Sequence, residues 1–423
     1  MIEALLLVPL FTALLCGLAR SERTIYVLSA AGSTVTALVA FPCCYQALSG
    51  PPLHRGPWYL DPLSALFVLV IVVITLLVSV YSVQYLQHDR REGEVNVKDL
   101  RYYHVLFHLF ALCMLLVVVV DSLGLMWIAV EGTTLVSAFL VGFYKKGEAI
   151  EASWKYLIIC SVGITLALLG IVLLYASSMA ALGEGADTLD WSALRAVADQ
   201  LDPALVKVAF IFIVVGLGTK AGLAPMHTWL PDAHSQSPTP ISALLSAVLL
   251  NCAMYGVLRV HILAQAAVPG FSSSLLTFFG LLSVAIATAF LLTSRDLKRF
   301  LAFSSVEHMG IIALGFGIGG PLAVLGALFH VVAHSLTKTL MFFGAGNVIQ
   351  RYRTREMREI KGVGRTMPAT ASLLVLGGAA IAGSPPFAIF IGELLITAGA
   401  LASGEYVIAC LFIALMAIIF AAM

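Results

Sequence analysis

Apolar runs of about 20 residues follow one another along almost the whole chain, and that pattern leaves few folds open. In lipid a backbone must satisfy its own polar groups, so a chain built this way spans a bilayer as helices. About thirteen spans can be placed, near 2–19, 24–48, 62–86, 102–120, 122–143, 154–178, 204–229, 239–262, 271–293, 300–319, 321–349, 368–400 and 405–423. Composition agrees: 60% of the 423 residues are hydrophobic and 11% charged, where soluble proteins carry about 25% charged residues. The expected fold is an all-α polytopic membrane protein.

The basic residues give an orientation. Eighteen Lys and Arg fall in the loops after spans 1, 3, 5, 9 and 11, against four (Arg55, Arg195, Lys207 and Arg259) on the other side. The positive-inside rule then puts the N-terminus outside. The opening MIEALLLVPLFTALL has the length of a signal peptide, but Glu3 stands where a basic residue belongs, so it reads as a retained span. Segment 180–203 is polar and acidic and includes Glu184, placed in a solvated loop. Leu189, Trp191, Leu194 and Val197 lie there at helical spacing, as in a short amphipathic helix lying on the membrane surface. A net charge of +1 gives no reason to expect a nucleic-acid partner. The seven cysteines show no C-x-x-C pair, and no metal site or cofactor is expected.

The other two basic residues, Lys220 and Lys338, fall inside apolar spans. A charge at the bilayer centre costs about 2.5–3.5 kcal/mol on insertion scales, so such residues tend to mark ion or proton paths. Glu131, Glu307, His308, His330, His334 and Glu393 are embedded in the same way. His330, His334 and Lys338 stand at i, i+4 and i+8, on one helix face. A lone histidine there would read as a packed, hydrogen-bonded residue; three titratable groups in a stripe read as a relay. Pro225 follows Lys220, and Pro385 and Pro386 precede Glu393. Prolines break the helix ladder, and transporters place such breaks beside their charged sites.

The segments GTKAGLAPMHTWLPDAHSQSPTPISALLSA, WIAVEGTTLVSAFL and RFLAFSSVEHMG, with the His330–His334–Lys338 stripe, resemble the antiporter-like subunits of respiratory complex I, Mrp cation/proton antiporters and membrane-bound hydrogenases. Within that family LLNCAMYG and GSPPFAIFIGELLI look most like the hydrogenase-4 component F branch. The resemblance implies fourteen spans with two inverted five-helix repeats, here 101–265 and 266–423 after N-terminal spans in 1–100. The last run ends at Met423, one helix short of fourteen. It implies that Glu131 and Lys220 form the pair of the first repeat, that His330, His334 and Lys338 relay between repeats, and that Glu393 closes the second. Asn251 stands where several relatives have Lys or His, and His227 or water is the expected substitute; His308 joins the path. It implies a prokaryotic plasma membrane, with other membrane subunits and, through them, peripheral redox subunits as partners.

Three functions follow. The first is proton translocation driven by redox chemistry elsewhere in a complex. The second is Na⁺(K⁺)/H⁺ antiport of the Mrp type. The third is a haem-carrying cytochrome, with His104 and His108, and His330 and His334, at i, i+4; bis-histidine haem ligation usually takes one histidine from each of two facing helices, and there is no C-x-x-C-H motif. GFGIGG near residue 315 opens no βαβ unit and is discarded as a nucleotide loop.

Overall fold

The computed structural model describes residues 2–183 and 186–422; Glu184 lies outside them. Its helices are α1 (Ile2–Leu18), α2 (Glu22–Ser49), α3 (Pro62–Arg91), α4 (Val97–Val119), α5 (Leu123–Val141), α6 (Gly147–Leu182), α7 (Trp191–Ala196), α8 (Pro203–Ala221) and α9 (Trp229–Gln236). They continue as α10 (Thr239–Leu244), α11 (Leu250–Ala267), α12 (Phe271–Thr293), α13 (Leu297–Ile318), α14 (Gly320–Tyr352), α15 (Val363–Thr366), α16 (Pro368–Ile381), α17 (Ala388–Ala402) and α18 (Tyr406–Ala422). Among the described residues, ten helices are long and apolar enough to cross a membrane, counting α10 and α11 as one. Each expected span coincides with a helix or a helix pair. The exception to an all-α reading is a hairpin, β1 (Leu53–Arg55) with β2 (Trp58–Leu60), which turns at Gly56 with φ +55°.

The helix starts are written in the sequence. Asp61 caps α3 by accepting from the Ser64 amide at 2.9 Å, with Pro62 next to it. Asn96 and Asp99 form a capping box on α4. Asp202 and Asp296 cap α8 and α13.

Two sets of neighbouring helices pack against each other along the chain. In the first, α5 lies against α4 and α6, and α6 against α8; in the second, α13 lies against α12 and α14, and α14 against α16 and α17. Each set carries an interrupted span, α8/α9 and α16/α17, where a continuous helix would read from hydropathy alone. At the centre run the α10–α11 span and α13, buried on nearly all sides. The outer faces of α1, α2, α6 and α18 expose large apolar side chains such as Phe11, Leu38, Val162 and Ile413, as lipid-facing helices do.

Segment 186–200 departs from expectation. It forms one six-residue helix, α7, between two short 3₁₀ turns, and its apolar side faces protein rather than lipid. Trp191 and Leu194 are buried, and the Trp191 indole donates to the Arg259 carbonyl at 2.7 Å. The Arg259 guanidinium lies over the indole and pairs bidentately with Asp61 at 2.7 and 2.8 Å. A Trp/Leu stripe looks the same whether lipid or a buried arginine lies beneath it.

Candidate functional site

The interruption after α8 starts with Gly222, whose φ of +79° ends the helix in the left-handed region that glycine tolerates best. The Thr219 carbonyl accepts from the Gly222 amide at 3.2 Å and from the Trp229 indole at 2.8 Å. The Ala224 amide donates to Ser283 Oγ on α12 at 2.9 Å. The broken ends are thus held by protein groups, the condition for irregular backbone at membrane depth.

Lys220, fully buried, sits on the last turn of α8. Its ammonium donates to Thr134 Oγ1 at 2.9 Å and to the Tyr156 hydroxyl at 2.5 Å, and it lies 4.6 Å from the Tyr156 ring centroid. Cys160, Glu131, Cys252 and Cys113 lie within electrostatic reach of it. Glu131 does not close an ion pair with it; one carboxylate oxygen accepts from Ser161 at 2.8 Å and the other is buried without a hydrogen-bond partner. The expected pair is therefore open in this structure, its ammonium held by neutral hydroxyls.

Between α10 and α11 the helix widens to a π turn over Leu245–Leu249. Such a turn leaves carbonyls free of the ordinary ladder, and these often serve functional sites. The Ala247 carbonyl accepts from Asn251 Nδ2 at 2.8 Å and from Ser335 Oγ of α14 at 2.7 Å. Asn251 Nδ2 also donates to Ser335 Oγ at 2.9 Å, while its Oδ1 is buried without a partner. The Ser246 carbonyl meets His334 Nε2 at 3.3 Å. Asn251 thus ties α11, whose neighbouring Cys252 flanks Lys220, directly to the histidine-bearing face of α14.

The histidines gather on that face. His308 Nδ1 and His330 Nε2 are 3.0 Å apart, and the His308 and His334 rings are 5.0 Å apart. Lys338 donates to the Leu301 carbonyl at 2.8 Å. Glu307 is buried on α13 with Oε2 unpartnered, and Glu393 and Lys338 are the charged groups acting on it. The Glu393 carboxylate lies against Gly383, at the interruption marked by Pro385 and Pro386. A side chain at Gly383, φ +70°, would fill the place the carboxylate occupies. Gly392 brings α17 against His330, since a Cβ there would stand 2.9 Å from His330 Nδ1.

Of the expected site residues, the structure brings His308 of α13 together with His330 and His334 of α14, with Lys338 one turn along α14 and Glu307 within electrostatic reach of Lys338 and Glu393. His227 stands apart: its ring lies edge-on to Phe290 and Phe303 on α12 and α13. Sequence reading missed Thr134 and Tyr156, ordinary small polar and aromatic residues until folding aims them at Lys220. It also counted Lys298 with the loop charges. Lys298 is buried and donates to the Ser237 carbonyl at 2.6 Å. It lines an open cavity of about 790 Å³ with Tyr85, Asp89, Tyr144 and Gln350. There Asp89 accepts from Tyr144 at 2.6 Å and from Gln350 at 2.9 Å.

Known proteins resemble this chain in sequence and in fold. Residues 120–419 match the family described as NADH:quinone oxidoreductase/Mrp antiporter, transmembrane, and residues 57–93 match the N-terminus of complex I chain 5. A hydrogenase-4 component F homolog of Methylacidiphilum infernorum is 42% identical over 363 residues, covering 85% of this chain and 76% of the relative. Hydrogenase-4 component B of Escherichia coli is 32% identical, and the chain spans 49% of its length. Among solved structures, a chain of an archaeal membrane-bound sulfane sulfur reductase superposes with a TM-score of 0.86 at 26% identity, covering 99% of this chain and 85% of that one. A chain of respiratory complex I from Thermus thermophilus gives 0.79 at 25% identity, covering 100% and 87%.

Proposed function

Because the chain belongs to the NADH:quinone oxidoreductase/Mrp antiporter family of membrane subunits, we propose that it translocates protons as one subunit of a redox-driven complex of the hydrogenase-4 or complex I type. One observation carries the reading: two lysines, Lys220 and Lys338, are wholly buried in the bilayer-spanning core with no carboxylate in ion-pair contact. A purely structural buried lysine would be expected to pair, because desolvating an unpaired charge is costly. Lysines held only by hydroxyls and a carbonyl exchange a proton readily when water reaches them.

In this reading Glu131 is the movable counter-charge of Lys220. When it approaches, the protonated lysine is stabilised; when it stays with Ser161, the proton is free to leave. The proton passes by way of Asn251 and ordered water to the histidine cluster, then to Lys338, Glu307 and Glu393. The groups act as a coupled set, so a proton added at one site changes the others. The halves 101–265 and 266–423 act as two repeats, each with its own interrupted helix. We also propose a prokaryotic plasma membrane with the N-terminus outside, and neighbouring membrane subunits that link the chain to peripheral redox subunits.

The family also includes Mrp antiporters, and the same charged residues serve Na⁺(K⁺)/H⁺ exchange. The partners separate the readings. Purification of the tagged chain in mild detergent with mass spectrometry of co-eluting proteins should recover peripheral redox subunits. Recovery of membrane subunits alone, with cation-driven proton flux in vesicles, would replace the redox reading by antiport.

A further inference from the structure

The bundle of α2, α3 and α4 lies outside the path above, yet it encloses a second polar file. On α2, Glu22, Tyr26, Ser29, Ser33 and Thr36 follow one face at alternating spacings of four and three. Opposite them stand Ser79 and Thr75 of α3 and His104 and His108 of α4. Ser29 Oγ is the hub: it meets His108 Nε2 at 2.9 Å, His104 Nδ1 at 3.0 Å and Ser79 Oγ at 3.3 Å. The two histidines considered above as haem ligands thus turn toward one hydroxyl.

Both ends of this hub carry buried groups without a partner. On the Arg90 side, His104 Nε2 and the Tyr26 hydroxyl are unpartnered, and the two rings meet edge-on at 5.6 Å. One turn before Tyr26, Glu22 forms an ion pair with Arg90 at the membrane surface. Tyr103 also packs on His104, but its hydroxyl is engaged with Ser82. On the other side, Ser33 Oγ and Thr75 Oγ1 are unpartnered and line a cavity with Thr36 and His108. The cavity, about 10 Å³, has room for the centre of one water. An unmade hydrogen bond in a buried site costs about 1–3 kcal/mol, which a water in that cavity would offset.

The file stops where α3 turns apolar. Along one face of α3 the order is Ser79, Thr75, Ile71, Val68, Ser64, then the capping Asp61. Ile71 and Val68 are buried. Beyond them Ser64 accepts from Arg259 at 2.7 Å and meets the Tyr255 hydroxyl at 2.9 Å. From Glu22 to Thr36 the file climbs roughly 20 Å of a hydrocarbon core of about 30 Å.

We propose that α2, α3 and α4 hold a proton-conducting half-channel separate from the central axis, a file of hydrogen-bonding side chains entered from the Arg90 end and closed by Ile71 and Val68. Tyr26, His104, Ser29 and His108 pass protons by alternately donating and accepting. The blind end keeps the file in exchange with one side of the membrane only.

The test removes the plug by near-isosteric changes. Inside-out vesicles carrying the full chain in its native complex receive a pH step without redox substrate, and a pH-sensitive dye follows its decay. The Val68→Thr/Ile71→Thr double variant should leak protons several-fold faster than the wild type. Adding His108→Phe should restore wild-type tightness. A double variant as tight as the wild type, or a leak that survives His108→Phe, overturns the half-channel. A map of the unmodified complex that resolves ordered water gives a check free of mutation. Water bonded to Ser33 and Thr75 supports the proposal, and a dry cavity there defeats it.

Discussion

Asn251 offers a sharp test of how the two halves of the path connect. Asn251→Leu keeps the side-chain volume and removes the amide. The amide donates two hydrogen bonds, to Ala247 and Ser335. The partners lose little, because the Ser335 hydroxyl keeps two carbonyl acceptors in reach, Ala247 at 2.7 Å and Val331 at 2.8 Å. Interhelical hydrogen bonds in membrane proteins average about 0.6 kcal/mol each, and only the bond to Ser335 crosses between spans, so the stability loss should stay below about 1 kcal/mol. The transport loss should be far larger, because the unpartnered Oδ1 is the acceptor that would seat a bridging water between α11 and the α14 histidines. Thermal unfolding of the purified complex reads the first quantity, and proton uptake into vesicles per electron transferred reads the second. Asn251→His restores a group that can both donate and accept, and should recover uptake. Normal uptake in Asn251→Leu would show that the link bypasses this residue. A stability loss of several kcal/mol would show that it is a packing clamp instead.

Other consequences follow from the same geometry. Glu131→Gln keeps an acceptor for Ser161, so the complex should assemble with near-normal stability while proton uptake falls sharply; equal uptake by mutant and wild type would remove Glu131 from the path. His334→Ala and Glu393→Ala should each block the same flux, and the double mutant should be little worse than either, whereas losses that multiply would mean independent routes. Asp61→Asn leaves Arg259 buried beside a neutral amide and should cost about 3–5 kcal/mol in thermal unfolding. Burial pushes the Asp61 carboxyl up, but the Arg259 guanidinium outweighs it and holds it below the ordinary carboxylate value. The clasp should therefore stabilise fully at neutral pH and weaken only as the pH falls below the ordinary carboxylate range; a loss of the Asp61 contribution already near pH 6 would contradict this.

The sequence discloses what depends on hydropathy and local backbone chemistry. Spans, caps and both helix interruptions follow from apolar run length, from Asp61, Asn96 and Asp202, and from Pro225, Pro385 and Pro386. The stripe on α14 is legible because helical spacing alone puts His330, His334 and Lys338 on one face. Contacts between distant elements are not legible. The π turn at Leu245–Leu249 has no local signature, since it exists where α11 must meet Ser335 and His334. Thr134 and Tyr156 become partners of Lys220 only through the packing of α5 and α6 on α8. The resemblance pairs Glu131 with Lys220, but Ser161 of α6 offers it a nearer donor. Lys298 reads as a loop charge because it lies beside Arg295 and Arg299, yet the first turn of α13 carries it inward to Ser237. The bridging role expected of His227 is not matched by its position, because the loop after Pro225 turns its ring toward Phe290 and Phe303.

The central claim is that Lys220 carries the translocated proton, and one measurement reaches it directly. Lys220→Met keeps the length of the side chain, removes the charge and takes one donor from Thr134 and Tyr156, while the Tyr156 hydroxyl keeps its hydrogen bond with Ser137 at 2.7 Å. Vesicles containing the assembled variant complex would be given redox substrate, with electron transfer and proton uptake recorded together. The account predicts full assembly with proton uptake per electron lost or strongly reduced. Uptake per electron equal to the wild type would contradict it.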